Sequence, residues 1–133
     1  MPLADYRPLD PAQIADESVD LVSCYIGLHH IEDAGLEPFM RSIHRVLRTG
    51  GAFILRDHDV TSPPMDRFVS LAHTVFNAGL GVPWETNQRE IRRFAPVSAW
   101  VERLGAVGLR DSGQRLTQAH DPSDNVVMMF TKA

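Results

Sequence analysis

The chain has 133 residues, 44% hydrophobic and 23% charged, with 13 Lys and Arg against 17 Asp and Glu. That is enough for one domain with a real core, and a formal net charge of −4 gives no electrostatic case for nucleic acid or an anionic membrane. The single cysteine, Cys24, rules out an intramolecular disulfide; with no apolar run near the ~20 residues that span a bilayer and no signal-peptide pattern, a cytoplasmic protein is expected.

Residues 1–18 hold three prolines, scattered acids and no glycine, and read as an irregular lead-in. From Val19 to Ile26 the chain turns almost continuously apolar, which predicts a strand covered on both faces, as in a parallel sheet, with Cys24 a buried structural thiol. A helix follows from about Ala34 to Arg48, its stripe formed by Leu36, Phe39, Met40, Ile43, Val46 and Leu47. Asp33 is the expected N-cap and Gly50 the left-handed residue just past its end. "AFILRDHD" is the next strand, so strand, helix and strand form a βαβ unit with a parallel pair.

Ser62 before Pro63 reads as an N-cap with proline at the first helical position. The helix it opens carries Met65, Phe68, Val69, Ala72, Val75 and Phe76 on one side and stops near Gly79 or Gly81. A mixed connector with one short helical turn leads to a further helix, about Pro96 to Leu104. Two strands close the chain, Leu109 to Ala119 and Asn125 to Lys132; the turn chemistry of "HDPSDN" between them predicts an antiparallel pair.

Three segments in this order carry a resemblance. "DESVDLVSCYIGLHHI", "FMRSIHRVLRTGGAFILRDHD" and "WVERLGAVGLR" are similar to the fourth strand and its loop, the helix and turn into the fifth strand, and the late helix of class I S-adenosylmethionine-dependent methyltransferases. The resemblance runs from about Asp16 to the C-terminus. It implies an α/β fold: a partial Rossmann-like sheet of parallel strands with helical crossovers, ending in an antiparallel hairpin. No G-x-G-x-G loop follows a strand anywhere. The expectation is therefore a single incomplete domain, residues 1–133, without the half that mainly holds the cofactor, and inactive in isolation.

What the resemblance implies for the site follows by position. Tyr25, Ile26, Gly27 and Leu28 would lie beside the methionine part of S-adenosylmethionine; the alternative is a plain strand end with a glycine bend. His29 and His30 are candidate general bases for a small-molecule acceptor, or else capping and packing residues. Asp57 and His58, ending the second strand, are candidates for the acceptor pocket. No metal is expected, because these residues show no recognised ligand spacing. His44 and His120 read as surface residues, and Arg89, Arg92 and Arg93 as a solvated face.

If the first-half strands are missing, Val19–Ile26 becomes a sheet edge. A second copy of the chain or a partner chain is then expected to cover it. The alternative to an enzyme is a non-catalytic remnant that serves as a dimerisation or partner-binding module.

Overall fold

A computed structural model describes residues 6–133. Of the irregular lead-in, residues 1–5 lie outside the described part; the rest consists of turns and bends. It is stitched to the first helix: Ser42 Oγ accepts from the Leu9 amide at 2.9 Å, and Arg45 donates to the Leu9 and Ile14 carbonyls.

The elements are β1 (Val19–Tyr25), α1 (Asp33–Val46), β2 (Leu47–His58), α2 (Pro63–Gly79), α3 (Trp84–Arg89), α4 (Val97–Ala106), β3 (Leu109–Thr117) and β4 (Asn125–Lys132), with a 3-10 turn at Leu28–His30. The sheet order is β1-β2-β4-β3. β1 and β2 run parallel, as the βαβ reading predicts, while β4 is antiparallel to both β2 and β3. β1 therefore stands at an edge of the sheet.

Register decides which side chains share a face. Phe53 faces Phe130, Leu55 faces Met128 and Val22 faces Phe53, and this face packs with Leu36, Phe39, Met40, Ile43 and Val46 of α1 and with Trp100 and Leu104 of α4 in one core. The opposite face is half open. Leu21 and Tyr25 of β1 and Leu116 of β3 are 58%, 60% and 70% exposed, on the same side as Ile54, Val127 and Met129. The expectation of a β1 covered on both faces is corrected here: none of its seven residues is fully buried. Cys24 is likewise only partly buried, although burial still pushes its thiol up to about 11.

Local details depart from the sequence reading in three further places. The N-cap of α1 is Glu32, extended and without a side-chain bond, and Asp33 is the first helical residue. α1 ends at Val46 because Leu47 is already extended (ψ 134°), so Gly50 does not terminate the helix. Gly50 instead takes φ +77° inside β2, where the register slips between the pairs Val19–Leu47 and Leu21–Ala52. On α2 the Ser62 cap forms, with Oγ accepting from the Met65 amide, but only Val69 of the expected stripe is buried. Phe68, Val75 and Phe76 are exposed.

Candidate active site

The parallel pair β1–β2 ends at one rim of the sheet, and both strands hand their last residues to the same place. β1 stops in Ile26, whose amide donates to the Arg56 carbonyl at 2.8 Å. Ile26 has φ +52°, a left-handed conformation that costs a β-branched residue on the order of 1–2 kcal/mol. Such strain persists only where the surroundings impose it, and it concentrates at ligand-facing loops. Gly27 follows, with no room for a side chain: a Cβ there would come within 2.8 Å of Cys24 Sγ. The chain then closes the 3-10 turn that carries both histidines.

The turn divides their roles. His29 is fully buried, its Nδ1 2.7 Å from Asp57 Oδ1. A carboxylate accepts, so this nitrogen carries the proton, and Nε2 is left buried with no hydrogen-bond partner. Asp57 Oδ1 also accepts from the His58 amide at 2.8 Å, which fixes the carboxylate where β2 ends. His30 is only partly buried and donates from Nδ1 to the Ile91 carbonyl at 2.7 Å. His58 donates from Nδ1 to the Ser123 carbonyl at 2.9 Å, and its Nε2 lies 3.2 Å from Nε2 of His73.

His73 comes from α2 and had no place in the sequence reading. Its ring centroid is 5.0 Å from that of His29, 5.5 Å from His30 and 5.4 Å from His58, and Phe94 caps the group at 4.7 Å from His29. Burial first, and the neighbouring imidazoles second, push His73 down to about 4. Burial also lowers His30 and His58. These three rings are therefore neutral near pH 7, the form able to accept a proton or offer a lone pair.

The cluster borders a cleft of about 430 Å³ whose walls include Ile26, His30, His58, His73, Asn77 and Glu90. Of the predicted site residues, Ile26, His30 and His58 thus reach the cleft. His29 and Asp57 stand behind it as a buried pair, Gly27 and Leu28 are buried in the turn, and Tyr25 points to the open face of the sheet. Asp59 faces away and caps α4, accepting from the Val97 amide at 2.8 Å. The arginine cluster is corrected in part. Arg92 is no solvated residue: it donates to Glu90, Asn87, Thr74 and the Ser70 carbonyl, tying α2 to the α3 segment. Burial raises Glu90, but the Arg92 hydrogen bond and the nearby His30 outweigh it and hold the carboxyl below its ordinary range.

Comparisons with known proteins bear on the fold that carries this cleft. Residues 3–55 match the sequence model of a family described as a methyltransferase domain. No curated protein matches. Among solved structures, the 1,6-didemethyltoxoflavin-N1-methyltransferase of Burkholderia thailandensis, with bound 1,6-didemethyltoxoflavin and S-adenosylhomocysteine, aligns over 96% of this chain at 16% identity and a TM-score of 0.66. A S-adenosylmethionine-dependent methyltransferase of Thermotoga maritima aligns over 90% at 18% identity and a TM-score of 0.61. The YcgJ protein of Bacillus subtilis aligns over 77% at 25% identity and a TM-score of 0.51. The chain spans 48%, 59% and 39% of those three, about half their length. Over β1, α1 and most of β2 the sequence is thus similar to a methyltransferase domain, and nearly all of the chain shares its fold with these solved structures.

Proposed function

We propose that the chain forms the acceptor side of an S-adenosylmethionine-dependent methyltransferase site and one wall of its cofactor cleft, acting on a small-molecule acceptor. The observation that carries this reading is the strained Ile26 and buried Gly27 at the carboxyl end of β1, opening onto a cleft lined by neutral imidazoles. Ligands in open parallel sheets bind at that end of the strands. A cleft of this size suits a small organic molecule rather than a polymer.

The residues present fit one side of the cofactor. The backbone of Tyr25–Leu28 is the segment that would lie against it, and the absence of a Cβ at Gly27 lets this turn close tightly on Cys24 Sγ. S-adenosylmethionine, when bound, supplies an electrophilic methyl group on a sulfonium. The chain's own residues supply position and a proton acceptor. His30 Nε2 is the base candidate that borders the cleft, because Nδ1 is committed to the Ile91 carbonyl. Taking the proton from an acceptor hydroxyl or amine as the methyl moves is a contribution of about 10²–10⁴ in rate. The buried His29–Asp57 pair holds the turn that aims His30, and Glu90 and Asn77 offer polar contacts at the far wall.

We further propose that a strand from a second copy or from a partner chain covers β1. The open edge, the wet Leu21 and Tyr25 and the apolar groove of about 520 Å³ between β1 and α1 all support it. The described residues contain no helix long and apolar enough to cross a membrane.

Titrating the ¹⁵N-labelled chain with S-adenosylhomocysteine tests the cofactor wall. Shifts are expected at the amides of Tyr25–Leu28 and His58, with none at Ser112–Arg115 at the far end of the sheet. A folded chain whose Tyr25–Leu28 amides stay still at millimolar ligand would overturn the reading.

A further inference from the structure

Four imidazoles from three separate elements converge behind the cleft, and three of them are oriented in the same manner. His29, His30 and His58 each spend Nδ1 on an oxygen acceptor: the Asp57 carboxylate, the Ile91 carbonyl and the Ser123 carbonyl, at 2.7, 2.7 and 2.9 Å. That leaves Nε2 of each ring as the lone-pair nitrogen. An outer oxygen that fixes the tautomer and ring plane in this way is the arrangement that accompanies metal-bound histidine, the Asp57–His29 contact above all.

The remaining nitrogens are gathered. One ring nitrogen each from His29, His30 and His73 lies within 4.8 Å of the other two. His58 Nε2 sits 3.2 Å from His73 Nε2, the separation of about 3.3 Å expected for two nitrogens bound tetrahedrally to one zinc at 2.0–2.1 Å. His29 Nε2 is the independent sign: it belongs to a fully buried side chain whose ring centroid lies 4.1 Å from that of His30 and 5.0 Å from that of His73, and it has no hydrogen-bond partner. A buried nitrogen left unpaired forgoes the hydration it had in the unfolded chain, and such groups in native structures call for a partner.

We propose that His29, His30 and His73 form a binding site for a first-row divalent cation, zinc foremost, with His58 beside the fourth position. The site revises the expectation of no metal, and a bound cation would occupy the His30 Nε2 lone pair that the methyl-transfer reading uses as a base, so the two roles exclude each other at that nitrogen. Neutral imidazole ligands suit zinc, copper, nickel and iron rather than magnesium or calcium. The ionised Glu90, 4.0 Å from His30, adds negative charge at the rim. Bringing nitrogens that lie within 4.8 Å of one another to a bonding separation needs a shift of at most about 1.5 Å, which falls to His73, a part-buried residue of α2.

Stripping the chain of metal and titrating it with zinc by calorimetry, and with cobalt by its visible ligand-field absorption, tests the site. About one equivalent is expected to bind, with the intense absorption of four-coordinate cobalt. His73→Gln and His30→Gln are each expected to weaken zinc at least about 10-fold. His44→Gln and His120→Gln, outside the cluster, are expected to bind as the parent does. Both cluster variants alter partly exposed side chains, and far-ultraviolet circular dichroism checks that they fold. No zinc uptake by the folded parent, or an affinity in folded His73→Gln equal to that of His44→Gln, would overturn the proposal.

Discussion

Trp100→Ala is expected to lower the unfolding free energy by about 3–5 kcal/mol. For a domain whose whole stability is about 5–15 kcal/mol, that is enough to populate the unfolded state visibly. Trp100 is fully buried in α4, and its guest volume is shared by the core of β2, β4 and α1, so alanine there opens a cavity that neighbours on a rigid sheet cannot fill. Trp100→Phe separates volume from polarity. The indole Nε1 has no hydrogen-bond partner, so removing it discards an unsatisfied donor and offsets part of the lost contact. Urea denaturation should therefore place phenylalanine well above alanine, with similar m values. Equal losses for the two variants would mean that the tryptophan is not held by packing.

The second large effect is expected at Asp57. Its Oδ1 accepts from both His29 Nδ1 and the His58 amide inside the fold, so Asp57→Ala strands two donors at once. The cost is on the order of 3 kcal/mol, since each buried donor left unpaired costs about 1–3 kcal/mol. Asp57→Asn retains a carbonyl oxygen of the same shape and should lose about 1 kcal/mol. The two variants also differ in a local readout. In Asp57→Ala the His29 ring loses the contact that fixes its tautomer, and its nitrogen resonances should move, while Asp57→Asn should keep them near the parent values. An alanine variant as stable as the parent would show that the pair does not organise the turn.

The parts legible in the sequence were those set by local period and turn chemistry. The α1 stripe, the Ser62–Pro63 start of α2, the strand Asn125–Lys132 and the turn before it each depend on residues a few positions apart. The position of the cleft was legible where two strands end, because a strand's carboxyl end is a fixed place in a parallel sheet: His30 and His58 both line it. His73 escaped because its partners lie 15 or more positions away in sequence and meet it only through the path of α2. One signal was present. His73 falls four residues after Val69 and three before Phe76, so it interrupts an otherwise apolar stripe on the face that turns inward at Val69. Arg92 escaped for a related reason: its charge suggested solvent, whereas its partners Ser70 and Thr74 arrive from another helix.

The open face of the sheet was the largest difference. A run such as Val19–Ile26, apolar at nearly every position, reports what the strand can bury rather than what this chain supplies to bury it. Register puts Leu21 and Tyr25 with Leu116 on a side that no described helix covers, while Val22 and Cys24 face the core with α1. Each such side chain is worth about 1.5–3 kcal/mol when fully buried. The uncovered edge and the Tyr25–Leu28 loop are consecutive stretches of the chain, so a strand paired with β1 would also border the proposed cofactor wall.

Light scattering on the purified chain, across a concentration series and without added partner, tests this directly. The account predicts a dimer or larger assembly whose mass falls when Leu21 and Tyr25 are both replaced by lysine. A folded, stable monomer at every concentration, with β1 amides as protected from hydrogen exchange as those of β4, would contradict it.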